Sequence, residues 1–372
     1  MTNTGRLQIG IVGGGIVGAA CARWLARRGA YVTVFERGFP GGGATAEGMG
    51  HLALMDDNAA EFALCHRSQE LWQELRLQLP PGIAFDPCGA LWVAQSERQA
   101  AALEERAARL RDLGVSAVLM TPEDIRLAEP AIREGWTAGL RLPADSVIYP
   151  PAFAAWCLSH PGIAVIHEAV SHLEGRRIGT QGREVGDFDA LVVASGAETA
   201  ALVRSAPVIP RKGHLAITTR MARSLRSQVA DVSYLDTAHT PGAEGISFNV
   251  QPRTTGQVLI GSSRQYVGFD RSVDRTLLRQ MLDLAVQGMP SLAGAKLLRV
   301  WTGFRPATPD GLPLIGRAPD SDTVWLATGH EGLGITQSLA TAELIADMVF
   351  GSEPRMDPKP FDPVRFAGVS SR

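Results

Sequence analysis

One stretch, QIGIVGGGIVGAACARWLARRGAYVTVFERG at residues 8–38, limits what this chain can fold into more than any other. Leu7–Val12 is a short apolar run ending in glycine, the pattern of a buried strand. Val17, Ala20, Cys21, Trp24 and Leu25 then recur at helical spacing, with Arg23, Arg27 and Arg28 off that face. Gly29 ends this predicted helix, Tyr31–Phe35 reads as a second strand, and Glu36 follows directly. The result is a βαβ unit with Gly13-x-Gly15-x-x-Gly18 at its first turn. Gly13 permits the tight turn, Gly15 lets a pyrophosphate approach the backbone, and Gly18 lets helix and strand pack closely. The helix start offers unpaired N–H groups and a positive dipole end to phosphates, with Ile16 and Val17 in its first turn. Glu36 can accept both hydroxyls of an adenosine ribose and would repel a 2′-phosphate, which disfavours NADP. The motif by itself does not separate NAD from FAD.

The rest of the composition removes whole classes. With 372 residues the chain is long enough for two domains, and a formal charge of −2 excludes the basic excess of a nucleic-acid binder. Cys21, Cys65, Cys88 and Cys157 are scattered without a CxxC pair, which fits neither a metal site nor a disulfide framework. The N-terminal region imitates a secretory signal, with Arg6, an apolar run and Ala20-Cys21-Ala22. Glycine makes up much of that run, however, and the pattern continues unbroken into the helix and second strand. No segment reaches the roughly 18 to 20 apolar residues of a membrane span. The expectation is a soluble cytoplasmic protein, with loose membrane association as the alternative.

Two further glycine loops choose between the dinucleotides. After the second strand the chain runs GFPGGGATAEGMGHLALMDD and is expected to form an irregular loop around an extended ligand. Near the far end, Thr323–Thr328 reads as a strand and Gly329–Gly334 as a third glycine loop. Leu339, Ala342, Ile345, Ala346 and Val349 mark one face of a closing helix. That loop aims another helix N-terminus at the ligand. A nicotinamide enzyme has no evident need for it, whereas a reduced flavin carries negative charge around N1 and the C2 carbonyl.

On these residues, with ALVVASGAE at 190–198, GFRPATPDGLPLIG at 303–316 and GHEGLGIT at 329–336, the chain resembles the D-amino-acid oxidase, glycine oxidase and sarcosine oxidase superfamily of FAD-dependent oxidoreductases. Its wording is most similar to the D-hydroxyproline dehydrogenase-type branch. The resemblance implies an α/β fold: a Rossmann-like FAD-binding domain, discontinuous in sequence, with an antiparallel-sheet substrate domain of α+β type. The FAD domain would comprise 1–85, 145–208 and 300–372, and the substrate domain 86–144 and 209–299. Within the latter, Leu103–Leu113 reads as an amphipathic helix, and Leu215–Thr219, Gly245–Val250 and Gln257–Gly261 as strands.

The resemblance also implies roles for residues. FAD contacts are expected at Gly13, Gly15, Ile16, Val17, Gly18, Glu36 and Arg37, and at Gly43, Ala44, Thr45, Gly48, Met49, Gly50, His51 and Leu52. Val170 would meet the adenine through its backbone, and Ser195 and Gly196 would pass near the pyrophosphate. Gly329, His330, Glu331, Gly332, Leu333, Gly334, Ile335 and Thr336 would complete the site. Arg305 would hold a substrate carboxylate by a bidentate pair that suits guanidinium geometry. His51 either lines the substrate pocket, orients loop backbone or carries the flavin covalently; non-covalent FAD is the expectation. Glu331 either faces the substrate amine or a ring hydroxyl, or caps the closing helix. Asn249 stands where many relatives carry a tyrosine; Tyr234 and Tyr266 either supply that hydroxyl instead or serve buried packing. His214 would support the site from behind.

The expected reaction is hydride transfer from the amine-bearing carbon of a D-hydroxyproline- or D-proline-like substrate to flavin N5, giving an imine. The electron acceptor would be a quinone, a carrier protein or O2. A glycine- or sarcosine-type oxidase is the alternative, for which Lys212 would be the nearest oxygen-activating lysine. An accessory flavoprotein subunit is the alternative from another class, and an oligomer is compatible with the sequence.

Overall fold

The computed structural model describes residues 5–221, 225–232 and 245–367; Tyr234 lies outside them. The first unit forms as its sequence requires: β1 (Gln8–Val12), α1 (Ile16–Arg27) and β2 (Tyr31–Phe35). Strands β1 and β2 pair in parallel within a six-stranded sheet. From one edge its order is Leu314–Arg317, Val324–Thr328, Ala190–Val193, β1, β2 and Ile163–Ile166. All neighbours are parallel except the antiparallel first pair. The strands are apolar on both sides because both faces are covered. Ile9, Ile11, Val32, Val34 and Val192 pack against α1 and the closing helix Gly334–Val349. Phe35, Leu191 and Val193 pack instead with Ile178 and Phe188 beside a three-stranded antiparallel sheet that spans Val170–Gly186.

An eight-stranded sheet forms the second layer. Its order is Leu297–Ala307, Ile209–Thr218, Val258–Arg264, Gly245–Pro252, Gln228–Asp231, Ala90–Ala94, Ala138–Leu142 and Val118–Met120. Pairing is antiparallel except at Gln228–Asp231 against Ala90–Ala94. The parallel junction arises where two separate stretches of chain meet. The strand Leu297–Ala307 runs across residue 300 and pairs along its length with Ile209–Thr218.

Several sequence expectations shift in detail. The helix read at Leu103–Leu113 starts earlier, at Glu97, because the Ser96 side chain accepts the Gln99 N–H and caps it. The loop after β2 contains one helical turn, Ala44–Glu47, entered through Gly41 and Gly43 at positive φ. At the far end Phe361 is buried and Pro363 packs against Gly316, so the proline-broken tail is pinned to the first sheet.

Candidate active site

A cavity of about 420 Å³ opens at the carboxyl ends of β1 and β2, where parallel sheets bind ligands. Segments 12–17, 35–37, 42–51, 168–171, 194–198, 303–306 and 327–335 contribute to its wall.

The glycine turn is sterically compulsory. Gly13 has φ +104°, and a Cβ on Gly18 would lie 2.0 Å from the Gly13 carbonyl oxygen. The Glu36 carboxylate accepts the Gly14 N–H (2.8 Å) and the Gly38 N–H (2.8 Å), which fixes it at the end of β2 on the cavity wall. Nearby, Arg37 and Glu198 form a bidentate pair at 2.5 Å on the same wall. Neither helix α1 nor the closing helix is capped by the side chain of its own N-cap residue, and neither has an acidic residue in its first turn. Both turn a positive end towards the cavity. The Gly43–Gly50 loop is tied to α1 by Thr45, whose Oγ1 accepts the Ile16 N–H at 2.9 Å. These features suit an extended anionic dinucleotide with an adenosine ribose beside Glu36 and a second electron-rich group near residue 334.

Arg305 lies on the wall further along. It is one of a row of residues that share a face by the two-residue period of a strand. In the antiparallel register Arg305 opposes Arg211, Gly303 opposes Gly213, and Trp301 opposes Leu215. The guanidinium of Arg305 lies across Gly213, where a Cβ would come within 2.6 Å of Nη1, and Nη1 donates to the Ser263 carbonyl at 3.0 Å. His214 supports that arrangement from the other face. Its Nδ1 lies 2.9 Å from Ser263 Oγ, while its Nε2 accepts the Asp274 N–H at 2.9 Å. Burial and the Lys212 charge lower the His214 pKa.

The wall includes Gly13, Gly15, Ile16, Val17, Glu36, Arg37, Gly43, Ala44, Thr45, Gly48, Met49, Gly50, His51, Val170, Ser195 and Gly196. It also includes Arg305, His330, Glu331, Gly332, Gly334 and Ile335. Gly18, Leu52, Gly329, Leu333 and Thr336 stand behind it. Thr336, for example, donates to the His51 carbonyl and accepts the Ala53 N–H, clamping the closing helix to that loop. Asn249 is 2% exposed and sits one strand beyond Ser263, off the wall. Tyr266 is also off the wall, with its ring centroid 5.5 Å from the Arg211 guanidinium.

His330 is buried, whereas His51 is half-buried on the cavity wall. Burial and then Arg253 push the His51 pKa down to about 3, against a Gln251 hydrogen bond; its Nδ1 lies 3.3 Å from Gln228 Nε2. Burial alone lowers His330 to about 3, and its Nε2 meets Thr341 Oγ1 at 2.9 Å. Lys212 points away from the Arg305 face and pairs with Asp270 at 2.9 Å. No lysine is found among the described residues of the wall. Sequence reading missed Arg211 and Ser263, which flank Arg305, and Glu47, which lines the wall and pairs with Arg271 at 2.7 Å. The one available signal for Arg211 was its alternation with Gly213 and Leu215, which matches Arg305, Gly303 and Trp301.

Comparison with known proteins agrees with this geometry. The chain belongs to the FAD dependent oxidoreductase (DAO) family, whose model matches residues 8–348. Glycine oxidase from Pseudomonas aeruginosa is 28% identical over 376 residues, covering 96% of this chain and 98% of that protein. D-amino acid dehydrogenase from Methylobacterium nodulans is 28% identical over 429 residues, covering 94% and 97% respectively. The crystal structure of glycine oxidase from Geobacillus kaustophilus superposes with a TM-score of 0.87 at 27% identity, covering 97% of this chain and 99% of that one. The protein is an FAD-dependent enzyme, and its fold is the mixed α/β fold of that family. Among the described residues no helix is long and apolar enough to cross a membrane.

Proposed function

We propose that this enzyme oxidises a small amino acid or secondary amine bearing a carboxylate, of the D-proline or cis-4-hydroxy-D-proline kind, to the corresponding imine. The observation that carries the proposal is Arg305. Its cationic fork lies on the cavity wall, held over Gly213 by the Ser263 carbonyl. A guanidinium so fixed pairs with a carboxylate in one orientation and leaves the rest of the substrate to project along the wall. The named activities of the relatives, glycine oxidase and D-amino acid dehydrogenase, support the amine class.

Glu36, the α1 N-terminus, the Gly43–Gly50 loop and the start of the closing helix would hold FAD, with Val170, Ser195 and Gly196 beside its adenosine half. When bound, FAD supplies a two-electron acceptor for the hydride leaving the amine-bearing carbon. The protein's own contribution is positional. Arg305 fixes the carboxylate, and its charge favours the neutral amine whose lone pair forms the C=N bond. The imine then hydrolyses in water or cyclises. FAD would be held non-covalently, with the His51 Nδ1 3.3 Å from Gln228 Nε2.

The commitment of Lys212 to Asp270 supports a dehydrogenase that passes electrons to a quinone or carrier, rather than an oxidase using O2. We further propose that residues 1–85, 145–208 and 300–372 form the FAD-binding domain and 86–144 and 209–299 the substrate domain, and that the protein works in the cytoplasm. The test is anaerobic bleaching of the purified yellow protein by D-proline, cis-4-hydroxy-D-proline, sarcosine and glycine. The first two should bleach it fastest, and bleaching by none of the four refutes the proposal. Peroxide release under air, compared with dye reduction, separates dehydrogenase from oxidase.

A further inference from the structure

Beside the anchor of Arg305 the cavity wall carries a polar side chain without a partner. Ser262 lines the cavity and is 2% exposed, yet its Oγ has no hydrogen-bond partner among the described residues. Leaving a buried hydroxyl unpaired is costly, and the hydroxyls around it are committed. Ser263 Oγ meets His214 Nδ1 at 2.9 Å, Thr302 donates to the Arg271 carbonyl at 3.0 Å, and Thr45 accepts the Ile16 N–H. An irregularity of its strand, Val258–Arg264, places Ser262 on the wall. A Cβ on Gly261 would meet Leu215 Cδ2 at 2.7 Å and Met49 Sδ at 2.8 Å, so Gly261 faces the cavity. Regular alternation would send Ser262 the other way, but the register against Gly245–Pro252 shifts between Ile246 and Asn249. Irregularities of this kind re-aim side chains beside active sites. One strand further, Asn249 opposes Gly261, and its Oδ1 is likewise buried without a partner. The polar character of this face thus continues away from Arg305.

We propose that Ser262 determines specificity by hydrogen-bonding a hydroxyl that the substrate carries beyond its amine-bearing carbon, on the same face as its carboxylate. The inference rests on the assignment of Arg305 to that carboxylate, and it narrows the substrate class to hydroxylated amino acids. Arg305 reaches across Gly213 from the edge strand, and its Nη1 ends on the Ser263 carbonyl at 3.0 Å. A carboxylate paired with that guanidinium lies within a residue of Ser262, on the same face of the sheet. A small ring held by its carboxylate can present a hydroxyl to this wall only if the two substituents are cis. A trans hydroxyl points off the wall, and an unsubstituted ring leaves Oγ unpaired. Both hydroxyls can donate and accept, so either supplies the proton of the bond. The enzyme thus reads the stereochemistry of a second substituent with the strand next to its carboxylate anchor.

Three substrates that differ only at this substituent test the inference: cis-4-hydroxy-D-proline, trans-4-hydroxy-D-proline and D-proline. The measurement is kcat/KM by dye reduction with the holoenzyme, with flavin content determined on each preparation. The wild type should favour the cis isomer over both others by about tenfold, as expected for one hydrogen bond in a buried site. The advantage should lie in KM, because the contact is made before and during hydride transfer alike. Ser262→Ala should bring the ratio of cis isomer to D-proline close to one, and Ser262→Thr, which keeps the hydroxyl, should retain much of it. A cis advantage that survives in Ser262→Ala overturns the inference. So does a wild type without a preference for the cis isomer, a comparison that still decides if the alanine variant does not hold flavin. An equal loss on all three substrates in Ser262→Ala, with shifted flavin absorbance, would give the hydroxyl to the flavin and also overturn it. Turnover of sarcosine or glycine but of none of these three overturns the inference alone. Reduction by none of them overturns the reading of Arg305 beneath it as well.

Discussion

Replacing Gly213 by alanine should damage the chemistry while leaving the fold intact. The added Cβ would lie 2.6 Å from Arg305 Nη1, 2.8 Å from Nη2 and 2.9 Å from Cζ. Ordinary contact needs about 3.5 Å, so the guanidinium must move by about 1 Å. The atoms in the way are the far end of a flexible side chain and Gly213 has ordinary strand φ, so the backbone has no reason to shift. Alanine also restricts the unfolded chain more than glycine, which stabilises by about 0.4–1 kcal/mol where the conformation is compatible. The move costs Arg305 its hydrogen bond to the Ser263 carbonyl and its aim at the substrate carboxylate. Hydrogen bonds to charged groups contribute about 1.5–3 kcal/mol, so kcat/KM for amino-acid substrates should fall roughly 10- to 150-fold. The assay is steady-state dye reduction, with flavin content and melting temperature measured on the same preparation. A kcat/KM within twofold of wild type would refute the role given to Arg305. Equal losses of flavin and activity would show that the strand itself, and not the arginine, had been disturbed.

Gly18→Ala should behave in the opposite way. Its Cβ would meet the Gly13 carbonyl oxygen at 2.0 Å, a backbone atom that cannot rotate aside, so the protein should purify with little FAD and a lowered melting temperature. Glu61 ties stability to pH: burial first, then Asp57, raise its pKa from 4.5 to about 8 in the folded protein. The folded state therefore binds this proton more tightly, and the associated stability is complete below pH 4.5 and lost as the pH rises through 8. Glu61→Gln should gain melting temperature relative to wild type between pH 5 and 8 and then level off; a gain that does not change with pH contradicts this. Acid precipitation of the denatured protein should release all the yellow colour to the supernatant, and colour retained in the pellet would mean that His51 or another side chain carries the flavin.

The parts of the molecule that were legible in the sequence are those built over short spans. The turn at Gly13–Gly18, α1, β2 and Glu36 lie within one 3.6- and 2-residue pattern, and local geometry decides them. The closing helix was legible for the same reason. The cap at Ser96 was not, because an amphipathic face says which residues are buried and not where the backbone first turns helical. Lys212 was equally opaque: it lies near a suggestive segment of the chain, but adjacent residues of a strand face opposite ways, and it pairs with Asp270 instead.

The sequence by itself determined the βαβ unit with its glycine turn and the further glycine loops, and it singled out Arg305, because steric and dipolar requirements at those points leave few residue choices. Only the tertiary structure decided what surrounds Arg305. The Arg211–Glu331 pair joins residues 120 positions apart, and Lys212 meets Asp270 across 58. Strand order and register brought them together, and pairing across such distances leaves no periodic trace in the chain. A buried charge must find its partner wherever the fold delivers one.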